Sequence, residues 1–164
     1  MGKRERLRHL SDEVVAQFPK LERDNYEITS PRDPSYNCIA YAAGDDSRWW
    51  EPITFPSPGY YWPESAQRGA SPDALRSCFE AVGYEVCEDG EPEKGYTKVA
   101  LYAAPNGSWT HAARQLENGQ WTSKLGKSVD IRHRNPGCVE GPVYGDVVIF
   151  MRTEKATKVG ISSE

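Results

Sequence analysis

Leu10, Val14, Val15 and Phe18 recur at helical spacing near the start of the chain, with Ser11 placed to cap the turn before them. The pattern predicts a short amphipathic helix ended by Pro19. Residues 28–36, with two prolines, read as a turn-rich entry segment. Asn37-Cys38-Ile39-Ala40-Tyr41-Ala42-Ala43 then predicts a helix of two to three turns, closed by Gly44 at the C′ position. Residues 45–70 show no period and hold four prolines and three tryptophans, which predicts a long irregular loop. Ser71-Pro72-Asp73 is a helix start with Ser as N-cap and Pro at the first helical position, and Gly83 stops that helix.

Beyond Gly83 the period changes to that of strands: residues 84–88, 96–104, 109–116, 120–125 and 146–152. The last of these is nearly all apolar and is expected to lie centrally in the sheet. Asn118-Gly119 predicts a two-residue hairpin turn that pairs Glu117 with Gln120. Helices first and an antiparallel sheet after them is an α+β layout, helices packed on one antiparallel sheet. The expected organisation is an N-terminal helical arm over 1–27, an α+β domain over 28–153 and a polar tail over 154–164.

Composition narrows the function classes. The 164 residues carry 20 Lys and Arg against 24 Asp and Glu, a net charge of −4, which argues against a nucleic-acid partner. No run is long and apolar enough to cross a membrane, and the basic start lacks the apolar core of a signal peptide. A cytoplasmic protein is therefore expected, with export by another route left open. Five Trp and nine Tyr against four Phe favour half-wet surfaces. Trp49, Trp50 and Trp62 fall in the irregular loop, and Trp109 and Trp121 flank the hairpin. If these segments meet, they rim one cleft suited to a peptide or protein substrate; otherwise the rings cap the sheet. Cys38, Cys78, Cys87 and Cys138 show no C-x-x-C spacing, so neither a metal site nor any cofactor is expected.

Cys38 stands where the second helix begins, beside unpaired backbone N–H groups and the positive end of the helix dipole. That position is expected to lower its pKa and to offer an oxyanion donor, with Asn37 as a second donor. The plainer alternative is a buried core thiol. His111 lies on a strand between Thr110 and Ala112, where a base or a satisfied core histidine would both fit. With the two-residue turn, Ser123 falls on the opposite face from His111; a register shift of one brings it onto the His face. Asp130 is the first choice to orient the imidazole and Ser123 the second. Cys138 with His133 is a weaker rival pair, set in a Pro/Gly-rich segment.

Asn37-Cys38-Ile39-Ala40-Tyr41-Ala42 resembles the nucleophile helix of the papain-like superfamily, in particular its small bacterial NlpC/P60- and CHAP-type cysteine hydrolases. Thr110-His111-Ala112-Ala113-Arg114 resembles the base strand, and Gly145-Asp146-Val147-Val148-Ile149-Phe150 a further core strand. The resemblance implies a papain-like fold and a thiol hydrolase acting on an amide or related acyl bond. Cys38 would be nucleophile and His111 base, with a polar residue on the next strand orienting the ring. A non-catalytic module that binds peptide through the aromatic cleft is the alternative. Substrate and oligomeric state are not legible in the sequence.

Overall fold

The computed structural model describes residues 10–52 and 60–155. His9, part of the proline-rich loop (53–59) and the tail from 156 lie outside the described residues. In chain order the elements are α1 (Asp12–Gln17), β1 (Tyr26–Ser30), α2 (Cys38–Ala42), β2 (Trp49–Trp50) and β3 (Tyr60–Tyr61). There follow α3 (Pro72–Ala81), β4 (Glu85–Cys87), β5 (Tyr96–Ala103), β6 (Trp109–Gln115), β7 (Trp121–Lys124) and β8 (Asp130–His133). A 3₁₀ turn (Pro136–Val139) and β9 (Asp146–Glu154) complete the described chain. One antiparallel sheet runs in the order β1-β8-β7-β6-β5-β9-β4, while β2 and β3 pair in parallel beside it. The domain is α+β.

The capping signals act as expected. Ser11, Asn37 and Ser71 each accept a hydrogen bond from the backbone N–H three residues on, fixing the starts of α1, α2 and α3. In α3 the buried residues are Ala74, Leu75, Cys78 and Phe79, an i, i+1, i+4, i+5 stripe facing the sheet. Alternation along β5 sends Val99 and Leu101 to that side, where they pack with Phe79, Leu75 and Met151, and with Ile39 and Ala40 of α2. Ala100 and Tyr102 go to the other side, covered by Phe18 and Leu21 after α1 and by Cys138, Val139 and Tyr144. The sheet is thus buried on both faces, with both short helices α2 and α3 on one.

Three expectations are corrected. The apolar strand β9 is not central; it lies between β5 and the short edge strand β4, with Val148 half exposed. Strands β1 and β8 join the sheet although 28–36 reads as turns, because β1 takes its partner from a segment about a hundred residues away. The hairpin is also shifted by one in register, with a longer connection. Arg114 pairs with Thr122 and Gln115 with Trp121, so the connection is the three residues 117–119. Within this loop only Gly119 takes positive φ (+89°), and every described residue with positive φ is a glycine. Asn118 keeps negative φ and accepts the Gln120 amide through Oδ1 at 2.9 Å, which excludes the turn with two left-handed residues.

Candidate functional site

That register decides which side chains meet. Continued from Arg114–Thr122, it sets Ser123 opposite Ala113, on the same face as His111. Ser123 Oγ lies 3.0 Å from His111 Nε2 and 2.8 Å from His133 Nε2, and His133 Nδ1 lies 2.8 Å from the Asn135 carbonyl. His111, Ser123 and His133 are fully buried.

The polarity of this relay follows from its far end. A carbonyl only accepts, so His133 carries its proton on Nδ1, and its Nε2 is an acceptor. Ser123 then donates to His133 and accepts from His111, whose proton sits on Nε2. His111 Nδ1 is left as a bare lone pair, and it is a buried atom with no hydrogen-bond partner. Burial holds both rings neutral: His111 lies well below the usual imidazole range, helped by the neighbouring His133, and His133 is pushed down to about 4. The His111 ring is packed flat against Tyr144, centroids 3.9 Å apart at 5°, and edge-on to Tyr102 at 5.1 Å. Tyr144 is aimed there by a loop closed on itself, Gly141 and Gly145 exchanging N–H···O bonds of 3.0 and 2.8 Å.

Cys38 occupies the first turn of α2, packed on β6. Its thiol points at the carbonyl of Thr110, 4.0 Å away, the residue before His111. The two side chains nevertheless take opposite sides of β6. Ala112, on the α2 side, packs with Ile39, Ala40 and Ala42, whereas His111 joins Tyr102 and Tyr144 on the other. No hydrogen bond joins Cys38 to His111 among the described residues. The expected drop in the thiol pKa is also reversed. Burial pushes it up to about 12, opposed chiefly by the Ala112 backbone N–H, while the Glu51 carboxylate adds a smaller push in the same direction as burial. Desolvation outweighs the dipole of a five-residue helix.

Asn37 binds the loop rather than the site. Its Oδ1 accepts from Ala40 N and Trp50 N, both at 3.1 Å, and its Nδ2 donates to the Trp50 carbonyl at 2.9 Å, so three hydrogen bonds tie its side chain to the helix start and to β2. Asp130 does not orient His111. It lies on the α2 side, accepting from the Tyr36 hydroxyl at 2.6 Å and facing Lys124 Nζ at 3.9 Å. Burial raises the Asp130 carboxyl and lowers the Lys124 ammonium. The hydroxyl in contact with the His111 ring is that of Ser123. His133 was legible only as a rival base; the alternation of Ile131 and His133 in a strand across from Ser123 is the signal that marks it as a relay member.

The tryptophans do not rim one cleft. Trp50, Trp62 and Trp121 are buried, and Trp121 sits on the face away from Trp50 and Trp62, tilted against Phe150. The other indoles pin the loops: Trp49 donates to the Pro34 carbonyl, Trp50 to Asp45, Trp62 to the Gln67 carbonyl and Trp109 to the Gly69 carbonyl. Trp62 and Trp109 stack at 6.1 Å. Cys138 is buried and directs its thiol at Asn135 Oδ1, 3.6 Å away, while the His133 ring is committed to Ser123 and Asn135. Among the described residues no group of three or more His, Cys, Asp or Glu is placed to hold a metal, and no helix is long and apolar enough to cross a membrane.

The class defined by these features is an α+β domain with a seven-stranded antiparallel sheet among the described residues and a buried His-Ser-His relay beside a helix-borne cysteine. Residues 27–152 match the family model described as a domain of unknown function, DUF7689, and the chain belongs to that family. No curated protein matches the chain. No solved structure matches it either.

Proposed function

We propose that this domain is a papain-like thiol hydrolase that cleaves an amide or related acyl bond, with Cys38 as nucleophile and His111 as base. The observation that carries the reading is the bare, buried Nδ1 of His111, left unpaired by a relay that fixes the proton on Nε2. A core histidine that serves packing alone satisfies both nitrogens. This one keeps one nitrogen basic and the ring orientation locked, on the strand against which the Cys38 thiol rests.

In the reaction His111 Nδ1 takes the thiol proton and the sulfur attacks the acyl carbon. The leaving amine or alcohol departs with that proton, and water then cleaves the thioester to regenerate the thiol. The resting thiol is protonated and separated from the ring by the β6 backbone, so turnover requires this segment to rearrange. Thr110, set in a bulge between the Tyr102–His111 and Ala103–Trp109 pairs, is where the strand already departs from regular pairing. The alternative, a binding module with an aromatic cleft, has less support, because Trp50, Trp62 and Trp121 are buried and the indole N–H groups of Trp49 and Trp109 are tied to loop carbonyls.

The test is thiol labelling with iodoacetamide at pH 7, read by mass spectrometry for each cysteine. Cys38 should react first, and its rate should fall at least about tenfold in His111→Gln, with folding checked by circular dichroism. Four cysteines labelled slowly and alike, or a Cys38 rate indifferent to His111, would refute the proposal.

A further inference from the structure

Lys124 ends β7 and Asp130 begins β8, and the two residues pair across the hairpin that these strands form. Their side chains are 0% and 2% exposed. Lys124 Nζ stands 3.9 Å from Asp130 Oδ1, beyond hydrogen-bond reach. The amino group donates instead to the Ser128 carbonyl, and the Tyr36 ring covers it at 4.6 Å. Asp130 Oδ2 accepts the Tyr36 hydroxyl at 2.6 Å. Oδ1, the atom turned toward Lys124, is a buried oxygen with no hydrogen-bond partner.

As an ion pair this arrangement is poor. Two buried charges offset their desolvation only through close contact and further hydrogen bonds, and Oδ1 has neither. Moving one proton from nitrogen to oxygen leaves a neutral amine facing a neutral carboxyl. Burial favours that state at both ends, raising the Asp130 carboxyl and lowering the Lys124 ammonium. A nucleophile then faces an acyl carbon, and the Tyr36 O–H is already aimed at the oxygen on which negative charge would develop.

We propose that Lys124 and Asp130 condense into an amide, a covalent cross-link that the chain makes within its own core. The Nζ lone pair adds to Asp130 Cγ while the carbonyl electron pair moves onto Oδ2, beneath the Tyr36 hydroxyl. Oδ1 departs as water, carrying the acid proton and one proton from Nζ, and the carbonyl re-forms at Oδ2. One C–N bond is made, one C–O bond is broken, and nothing is oxidised or reduced. Two forces favour the condensation: the fold holds the reacting groups together, and the product removes both charges from a buried site. The step requires nothing of Cys38. Its product ties the residue after Ser123 to the strand that carries His133, and so fixes the spacing of the relay.

Intact-mass spectrometry of the full chain, denatured and reduced, tests this directly. The protein should be one water lighter than its sequence. Trypsin should cut after Lys127 yet leave residues 115–127 and 128–132 joined through their side chains, a branched species read by fragmentation. Lys124→Arg and Asp130→Ala should each show their full sequence mass and give linear peptides. Tyr36→Phe keeps the ring over Lys124 and removes the hydroxyl; with folding checked by circular dichroism, it should lose water about a hundredfold more slowly. A wild-type chain of full sequence mass overturns the proposal. A dehydrated chain with linear peptides does so too, because the missing water then lies in a succinimide. An amide already complete in freshly purified Tyr36→Phe overturns the role given to that hydroxyl.

Discussion

Acidification should weaken this fold by an amount that the relay sets. His133 is held neutral at a pKa of about 4 against about 6.5 in an unfolded chain. A histidine whose folded pKa is depressed contributes its full stability above the unfolded value. That contribution drains away as pH falls toward the folded value, because the unfolded chain binds the proton first. At pH 5 the loss from this group alone is RT ln[(1 + 10^1.5)/(1 + 10^−1)], about 2 kcal/mol, and below pH 4 it approaches about 3.4 kcal/mol. His111, shifted in the same direction, adds to it. Asp130 and Glu51, raised by burial, act in the opposite sense. They are removed by comparison with His133→Gln, which keeps both carboxylates. Urea unfolding at pH 7.5 and pH 5.0 gives the four free energies, with the slope of the transition as the check on two-state behaviour. The wild type should lose about 2 kcal/mol more than the variant over that interval. Equal losses would show that His133 titrates normally, and the tautomer argument for His111 would fall with it.

Ser123→Ala should orphan the buried Nε2 atoms of both histidines and cost about 1–3 kcal/mol for each, measured by the urea midpoint, and it should slow Cys38 labelling. Asn37→Ala removes a helix cap and the clamp on Trp50 together, an expected loss of about 2–3 kcal/mol; Asn37→Ser should recover the cap but not the clamp. Gly145→Ala should fail to fold stably by thermal unfolding, since its Cβ would lie 2.0 Å from the Ala103 carbonyl oxygen and its φ is +74°.

Much of the framework is local and therefore legible in the chain. The caps Ser11, Asn37 and Ser71, the stop at Gly83 and the period-two runs around His111 and Ser123 all reflect short-range chemistry. What escaped depends on distant partners. Residues 28–30 read as entry turns, yet Ile28 pairs with Ile131. The site was half legible: Cys38 and His111 do converge on one strand, but which face α2 covers is a tertiary choice. The small side chain of Ala112 is the clue in hindsight, because a helix packs closest over the smallest residue, and His111 must then point away. Asp130 ranks above Ser123 on sequence because a carboxylate fixes the imidazole tautomer well. The relay instead serves a neutral ring, for which a hydroxyl that both accepts and donates is the better fit.

The dependence of that relay on a single carbonyl has a consequence for how the protein could be controlled. The location of one hydrogen on His111 is dictated from Asn135, at the entrance to the 3₁₀ turn on a different strand connection. Movement of that turn by an ångström or two would free His133 to adopt its other tautomer, reverse the Ser123 hydroxyl and transfer the bare lone pair of His111 to the atom facing Ser123. Basicity at one strand is thereby written in the backbone position of another, without any side chain having to travel between them.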